Sequence, residues 1–287
     1  MRALSPLTAI LLACAGSPVA GEQVPGREGD GSGDAESGDT ATGEVRPEIP
    51  APALGASGVA AAIDRATASG LPEPLQARET YLGIFAHRDP GCPGGQGTNL
   101  PGRFQGCTAD SGWLYAGLAE YSGPPEVAVI DDFHLLGDFN VRDADGRWFI
   151  GGGELELDVT RAAGSVTWVG DISGTWSYAA GPGWMQPDGA GGVLRLIVER
   201  ADPTWSVSAE GGLTDGAESV HLSGVRASSA LCDGAVSGSI SLRDPSGYWY
   251  ALTADCGCGP VTWADGTQLG DACVALDLSA LPSLVRP

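Results

Sequence analysis

From Thr80 onward the chain alternates short apolar runs with Gly and Pro. Glu154–Val159 sets the pattern. Leu155, Leu157 and Val159 alternate with Glu154, Glu156 and Asp158, a strand with one face in a core and one in water. Further strands are predicted at Tyr81–Phe85, Val127–Ile130, Phe139–Val141, Trp148–Ile150, Val166–Val169, Thr175–Tyr178 and Val193–Val198. The series continues at Ser206–Val207, Val220–Leu222, Val236–Leu242, Tyr248–Leu252, Val261–Trp263 and Val274–Leu278. Many short strands with frequent turn signals predict an all-β fold: an antiparallel sandwich or barrel-like meander. One Ala-rich stretch, Gly58–Ser69, predicts a short helix with a weak apolar face, placed at the edge of the domain.

A segment of this pattern occurs twice. Gly137–Phe149 aligns without a gap on Gly238–Tyr250, with identities at Gly137/Gly238, Arg142/Arg243, Asp143/Asp244, Gly146/Gly247 and Trp148/Trp249. Each copy is followed by Val-Thr-Trp, at 166–168 and 261–263. The unit is therefore read as a repeated hairpin plus a third strand. Asp244-Pro245-Ser246-Gly247 suits a type I turn closed by a glycine with positive φ, which fixes the hairpin register. Leu242 then faces Tyr250 and Ile240 faces Leu252, while Val141 faces Phe149 in the first copy. On the other face Arg142 opposes Trp148 and Arg243 opposes Trp249, cross-strand pairs worth about 0.5–1 kcal/mol each if the guanidinium lies on the ring.

The N-terminus is different in kind. Ala3–Ala13 is an apolar run after Arg2, shorter than the roughly 20 residues of a spanning helix. It closes on Leu11-Leu12-Ala13-Cys14, which resembles the lipobox of bacterial lipoproteins. The resemblance implies cleavage before Cys14 and lipidation of that cysteine, so that the membrane is a partner through the anchor. Ala15 in place of aspartate implies the outer membrane in a two-membrane cell envelope. Residues 15–54 carry eight acidic and two basic residues among Gly, Ser, Ala, Pro and Thr, too little apolar surface to fold. As a coil they would span about 35 Å. The expected division is a signal peptide over 1–13, an acidic linker over 14–55 and an extracytoplasmic all-β domain over 56–287.

Charge narrows the partners. The chain has 36 acidic against 15 basic residues, a net charge of -21, and every basic residue is arginine. Such a chain repels phosphate backbones, which argues against nucleic acid.

Seven cysteines become six once Cys14 is set aside: Cys92, Cys107, Cys232, Cys256, Cys258 and Cys273. In an exported domain these read as disulfides. Cys92 and Cys107 bracket a Gly/Pro-rich loop and should close it. The adopted pairing of the others is Cys232–Cys258 with Cys256–Cys273, and the swap is the alternative. A zinc site from the same four residues is disfavoured because the CxC spacing is not that of a zinc knuckle.

No catalytic motif is evident. His87, His134 and His221 lie without a G-x-S-x-G nucleophile, although His134 follows Asp131-Asp132 and Ser223 is near His221. Asp143-Ala144-Asp145-Gly146 matches part of a calcium loop, but Ser246 replaces Asp145 in the second copy, so the aspartate is assigned to the turn. No metal and no cofactor is implied. Gly181–Gly192, with Trp184 and Met185 at its tip, is the candidate contact loop. The expected function is a non-catalytic binding or structural domain for an extracellular or periplasmic protein or glycan. The alternatives are an exported carboxylate-dependent hydrolase and a β-barrel carrier of an apolar ligand.

Overall fold

A computed structural model describes residues 48–71, 74–93, 104–123, 131–146, 148–176, 190–215 and 218–284. Cys14, most of the predicted linker, the strand expected at 127–130 and the loop tip at Trp184 and Met185 lie outside these residues. The compact unit runs Glu48–Pro287. It begins with two helices, α1 (Ala56–Gly70) and α2 (Pro74–Phe85). Twelve strands follow: β1 (Phe104–Thr108), β2 (Leu114–Ser122), β3 (Phe133–Arg142), β4 (Trp148–Ala162), β5 (Ser165–Trp176), β6 (Ala190–Ala201), β7 (Thr204–Asp215), β8 (Glu218–Ser228), β9 (Ser237–Arg243), β10 (Trp249–Ala254), β11 (Cys258–Thr262) and β12 (Gln268–Cys273).

All twelve form one antiparallel sheet in sequence order. The expected all-β meander is therefore present. Among the described residues there is no second sheet to make a sandwich, and β1 does not pair with β12 to close a barrel.

The alternation expected on β4 holds. Leu155 and Leu157 are buried while Glu154, Glu156 and Asp158 are exposed. Facing strands repeat it, with Trp168, Leu194, Leu196, Val198 and Val207 on the apolar face. Pairs of opposite charge knit the polar face, as where Arg195 meets Asp171 across β5 and β6 at 3.2 Å.

A row of glycines crosses the sheet. Gly137, Gly153, Gly174 and Gly192 are direct neighbours on β3, β4, β5 and β6. Gly153 and Gly174 have φ of +131° and +113°, and a Cβ on either would lie within 2.0 Å of a carbonyl oxygen on the facing strand. Only glycine permits this approach, and such kinks let a sheet bend sharply.

Both helices pack on the apolar face. In α1, Val59, Ala62, Ile63 and Ala66 fall at helical spacing and all are buried. The helix lies against β6–β9, β11 and β12. It is thus part of the core, not an edge element as expected. Its small alanines give a weak apolar signal but allow a close approach. Residues before it are also tied down: Trp263 Nε1 donates to the Pro50 carbonyl at 2.8 Å, and the Leu54 amide donates to Tyr250 Oη at 3.0 Å.

The strand expected at Tyr81–Phe85 is the last part of α2. Ala77, Tyr81, Ile84 and Phe85 are buried at helical spacing, and Pro74 occupies the first helical position, where its missing N–H has no consequence. The β-favouring Tyr, Ile and Phe obscured that period. Phe85 stacks on Tyr115 at 5.5 Å and Tyr81 on Tyr121 at 5.3 Å, which seats α2 on β2. The strand expected at Val274–Leu278 is also corrected. Leu276 and Leu278 are buried, but the segment makes only one isolated bridge, between Asp277 and Ala235. The edge strand is instead the more polar Gln268–Cys273.

Both hairpin registers are as expected. Leu242 faces Tyr250, Ile240 faces Leu252, Val141 faces Phe149 and Arg142 faces Trp148. Gly146 and Gly247 have φ of +88° and +94°. The third strand of each unit carries its tryptophan into the core, with Trp168 and Trp263 both buried. Arg243 does face Trp249, yet its guanidinium reaches towards the turn, where Nη2 would lie 3.7 Å from a Cβ on Gly247.

Candidate functional site

The six cysteines form three disulfides. Cys92 pairs with Cys107. Cys232 pairs with Cys256, and Cys258 with Cys273, which is the swap of the expected connectivity. The reason is a turn at Asp255-Cys256-Gly257-Cys258, closed by the Cys258 amide on the Asp255 carbonyl at 3.2 Å. Cys256 has φ +54° and Gly257 φ +81°. The expected pairing placed both cysteines on one strand. The turn instead leaves Cys256 at the loop beside Cys232 and makes Cys258 the first residue of β11, directly opposite Cys273. Asp255 lies near Cys232 and Cys256, but a disulfide sulfur offers no thiolate to a metal.

The histidines and carboxylates fall into separate pairs. His134 Nε2 meets Glu154 at 2.6 Å on the polar face. Asp131 pairs with Arg161 at 2.6 Å, and Asp132 accepts the Val159 amide at 2.5 Å. His87 stacks on Trp113 at 4.3 Å. His221 and Ser223 stand exposed on β8, and His221 faces Gly212 on β7 and Ser241 on β9, neither of them an acid. In both turns of the repeat the buried aspartate serves the backbone. Asp143 accepts the Asp145 amide at 3.0 Å and Asp244 the Ser246 amide at 2.7 Å, in keeping with the turn assignment.

The sequence did not single out the groove that runs over β6–β9. Two register shifts make it, one in β7–β8 at Ala209/Gly211 and one in β8–β9 at Ser223/Arg226. Such irregularities bend a strand and re-aim its side chains. The Glu210 carboxylate holds the bulge by accepting the Gly224 amide at 2.6 Å. The result is a groove of about 550 Å³. Arg226 lies in its floor, opposite Ser208 on β7 and Ser237 on β9. Ser206 and Ser228 face one another beside it, and Ser206 Oγ donates to Glu199 at 2.9 Å. Leu231, 67% exposed, forms an apolar rim. Arg226 makes no ion pair among the described residues, whereas Arg65, Arg161, Arg195 and Arg200 each have a carboxylate partner. An unpaired guanidinium among serine hydroxyls presents a charged fork for an acid group and a hydrogen-bonding rim for hydroxyls.

Comparison with protein-family models, curated proteins and solved structures found no match to this chain.

Proposed function

We propose that this protein is a binding module held at the cell envelope through a lipidated Cys14, with the Arg226 groove as its contact site. The ligand class that fits is a hydroxyl-rich molecule bearing an acid group, such as a uronic-acid-containing glycan. One observation carries the reading: Arg226 lies in a serine-lined groove without an ion pair among the described residues, whereas Arg65, Arg161, Arg195 and Arg200 each meet a carboxylate. Four serine hydroxyls donate and accept around it, as sugar hydroxyls require. The acidic linker supports the tether reading, since it separates the domain from anionic lipid headgroups.

Two experiments test the two halves separately. Fractionation of cells carrying Cys14→Ser should move the protein out of the membrane fraction, and the wild type should carry a lipid adduct. A membrane-bound variant with no adduct on the wild type overturns the anchor. For the groove, calorimetric titration of the full chain with oligogalacturonate and with its neutral analogue should show binding of the acidic form only. Arg226→Gln should weaken that binding at least tenfold. Equal binding of both sugars, or of both proteins, overturns the groove assignment.

A further inference from the structure

Beneath α2, on the apolar face and away from the groove, the core holds a buried cation with no acceptor for its terminal nitrogens among the described residues. Arg78 is only 3% exposed. Its Nε donates to Tyr121 Oη, and its guanidinium lies 5.7 Å from the Tyr121 ring centre. Nη1 and Nη2 are buried and make no hydrogen bond among the described residues. One turn further along α2, the buried Tyr81 hydroxyl is likewise unpartnered, and its ring stacks on Tyr121 at 5.3 Å. These orphaned groups share one helix face and one layer of the core. The carboxylates nearest in sequence do not serve them, since Glu79 and Glu120 are exposed.

Burying an unpaired charge is among the costliest arrangements in a protein, and buried N–H groups are almost always satisfied. Arg78 and Tyr81 together present an excess of donors, so what they lack is an acceptor, and a negative one. A planar guanidinium with both terminal nitrogens free matches the two oxygens of a carboxylate.

From this geometry we infer that the layer between α2 and β2 is an internal anion site, made by Arg78 Nη1 and Nη2 with the Tyr81 hydroxyl, that takes a small monovalent carboxylate. The anion accepts from the guanidinium fork and from Tyr81, and it neutralises the buried charge. This site stands independently of the Arg226 groove.

The probe is sodium formate, exchanged for sodium gluconate at constant ionic strength, with the full chain followed by thermal denaturation. Anion binding to the folded state alone raises Tm in a saturable way. Arg78→Met keeps the length and apolar stem of the side chain but removes the charge, and should abolish the formate-dependent rise. Tyr81→Phe keeps the stacked ring and should raise the half-saturating formate concentration at least threefold. If Arg78→Met does not fold, Tyr81→Phe decides alone. An identical Tm of the wild type in formate and gluconate overturns the inference. So does a formate response that Tyr81→Phe, or a folded Arg78→Met, leaves unchanged.

Discussion

Gly153→Ala is the sharpest test of how this sheet bends, because an adjacent glycine supplies its control. A Cβ on Gly153 would lie 1.9 Å from the Ser173 carbonyl oxygen, 2.6 Å from the Gly174 Cα and 2.8 Å from the Ser173 carbonyl carbon. All three are backbone atoms, so no side-chain rotation relieves the contact. The residue also has φ +131°, a region essentially closed to L-residues. Holding alanine there costs about 1–3 kcal/mol. Moving β5 aside to relieve the overlap adds about 1–3 kcal/mol by analogy with overpacking. The expected loss is therefore about 2–6 kcal/mol, a large part of the 5–15 kcal/mol typical of a folded protein. Gly152→Ala is the control: nothing lies within 4 Å of its Cβ position and its φ is outside the left-handed region. That change should fall within about 0.5 kcal/mol of zero or stabilise slightly. Urea denaturation of both variants measures the difference, read from the midpoints at matched m-values. If Gly153→Ala lies within 1 kcal/mol of Gly152→Ala, on the scale of ordinary surface changes, the glycine row is not what bends the sheet.

Three further outcomes are expected. Non-reducing peptide mapping should recover Cys92–Cys107, Cys232–Cys256 and Cys258–Cys273. Replacing Cys258 and Cys273 together by alanine should lower stability by about 3 kcal/mol in denaturant titration, the value for closing a loop of about 15 residues; recovery of Cys256–Cys273 would refute the turn at Asp255–Cys258. The amides of Asp110, Gly91 and Cys92 hold the Asp89 carboxyl below its ordinary range, the first having the largest effect. A depressed folded-state value means that this stabilisation is fully present above the ordinary carboxylate range and is lost as pH falls through the depressed one. Asp89→Asn should therefore lower stability at neutral pH and flatten its acid dependence, and an unchanged slope of stability against pH below 4 would count against it.

What the sequence reveals about this fold depends on how local each determinant is. Leu155, Leu157 and Val159 announce their strand because the period of two is written in adjacent residues. The repeated hairpin is legible for the same reason: an aspartate, a glycine and their spacing fix a turn, and the turn fixes the register from Ile240/Leu252 to Leu242/Tyr250. The pairing of Cys256 and Cys258 was not legible, because two cysteines separated by one residue look like one strand until the turn between them is known. The glycine row was not legible either. Gly137, Gly153, Gly174 and Gly192 are spread over fifty-odd residues of sequence and become neighbours only once every intervening register is set.

The two candidate sites were hidden by the same logic. Arg226 sits in a run of serines and alanines with nothing to distinguish it. It acquires its setting from two register shifts, and shifts of that kind leave no mark in an alternation pattern. Arg78 was hidden by a misassigned element. While Tyr81–Phe85 is read as a strand, Arg78 and Tyr81 have no reason to share a face. As residues i and i+3 of a helix they must share one. An arginine on the buried stripe of an amphipathic helix then becomes the feature to explain. Ala77, Tyr81, Ile84 and Phe85 complete that stripe, and none of them carries a negative charge to answer it. Because Pro74–Phe85 is one helix, Arg78 falls on its buried side, and the need for an anion follows from that placement.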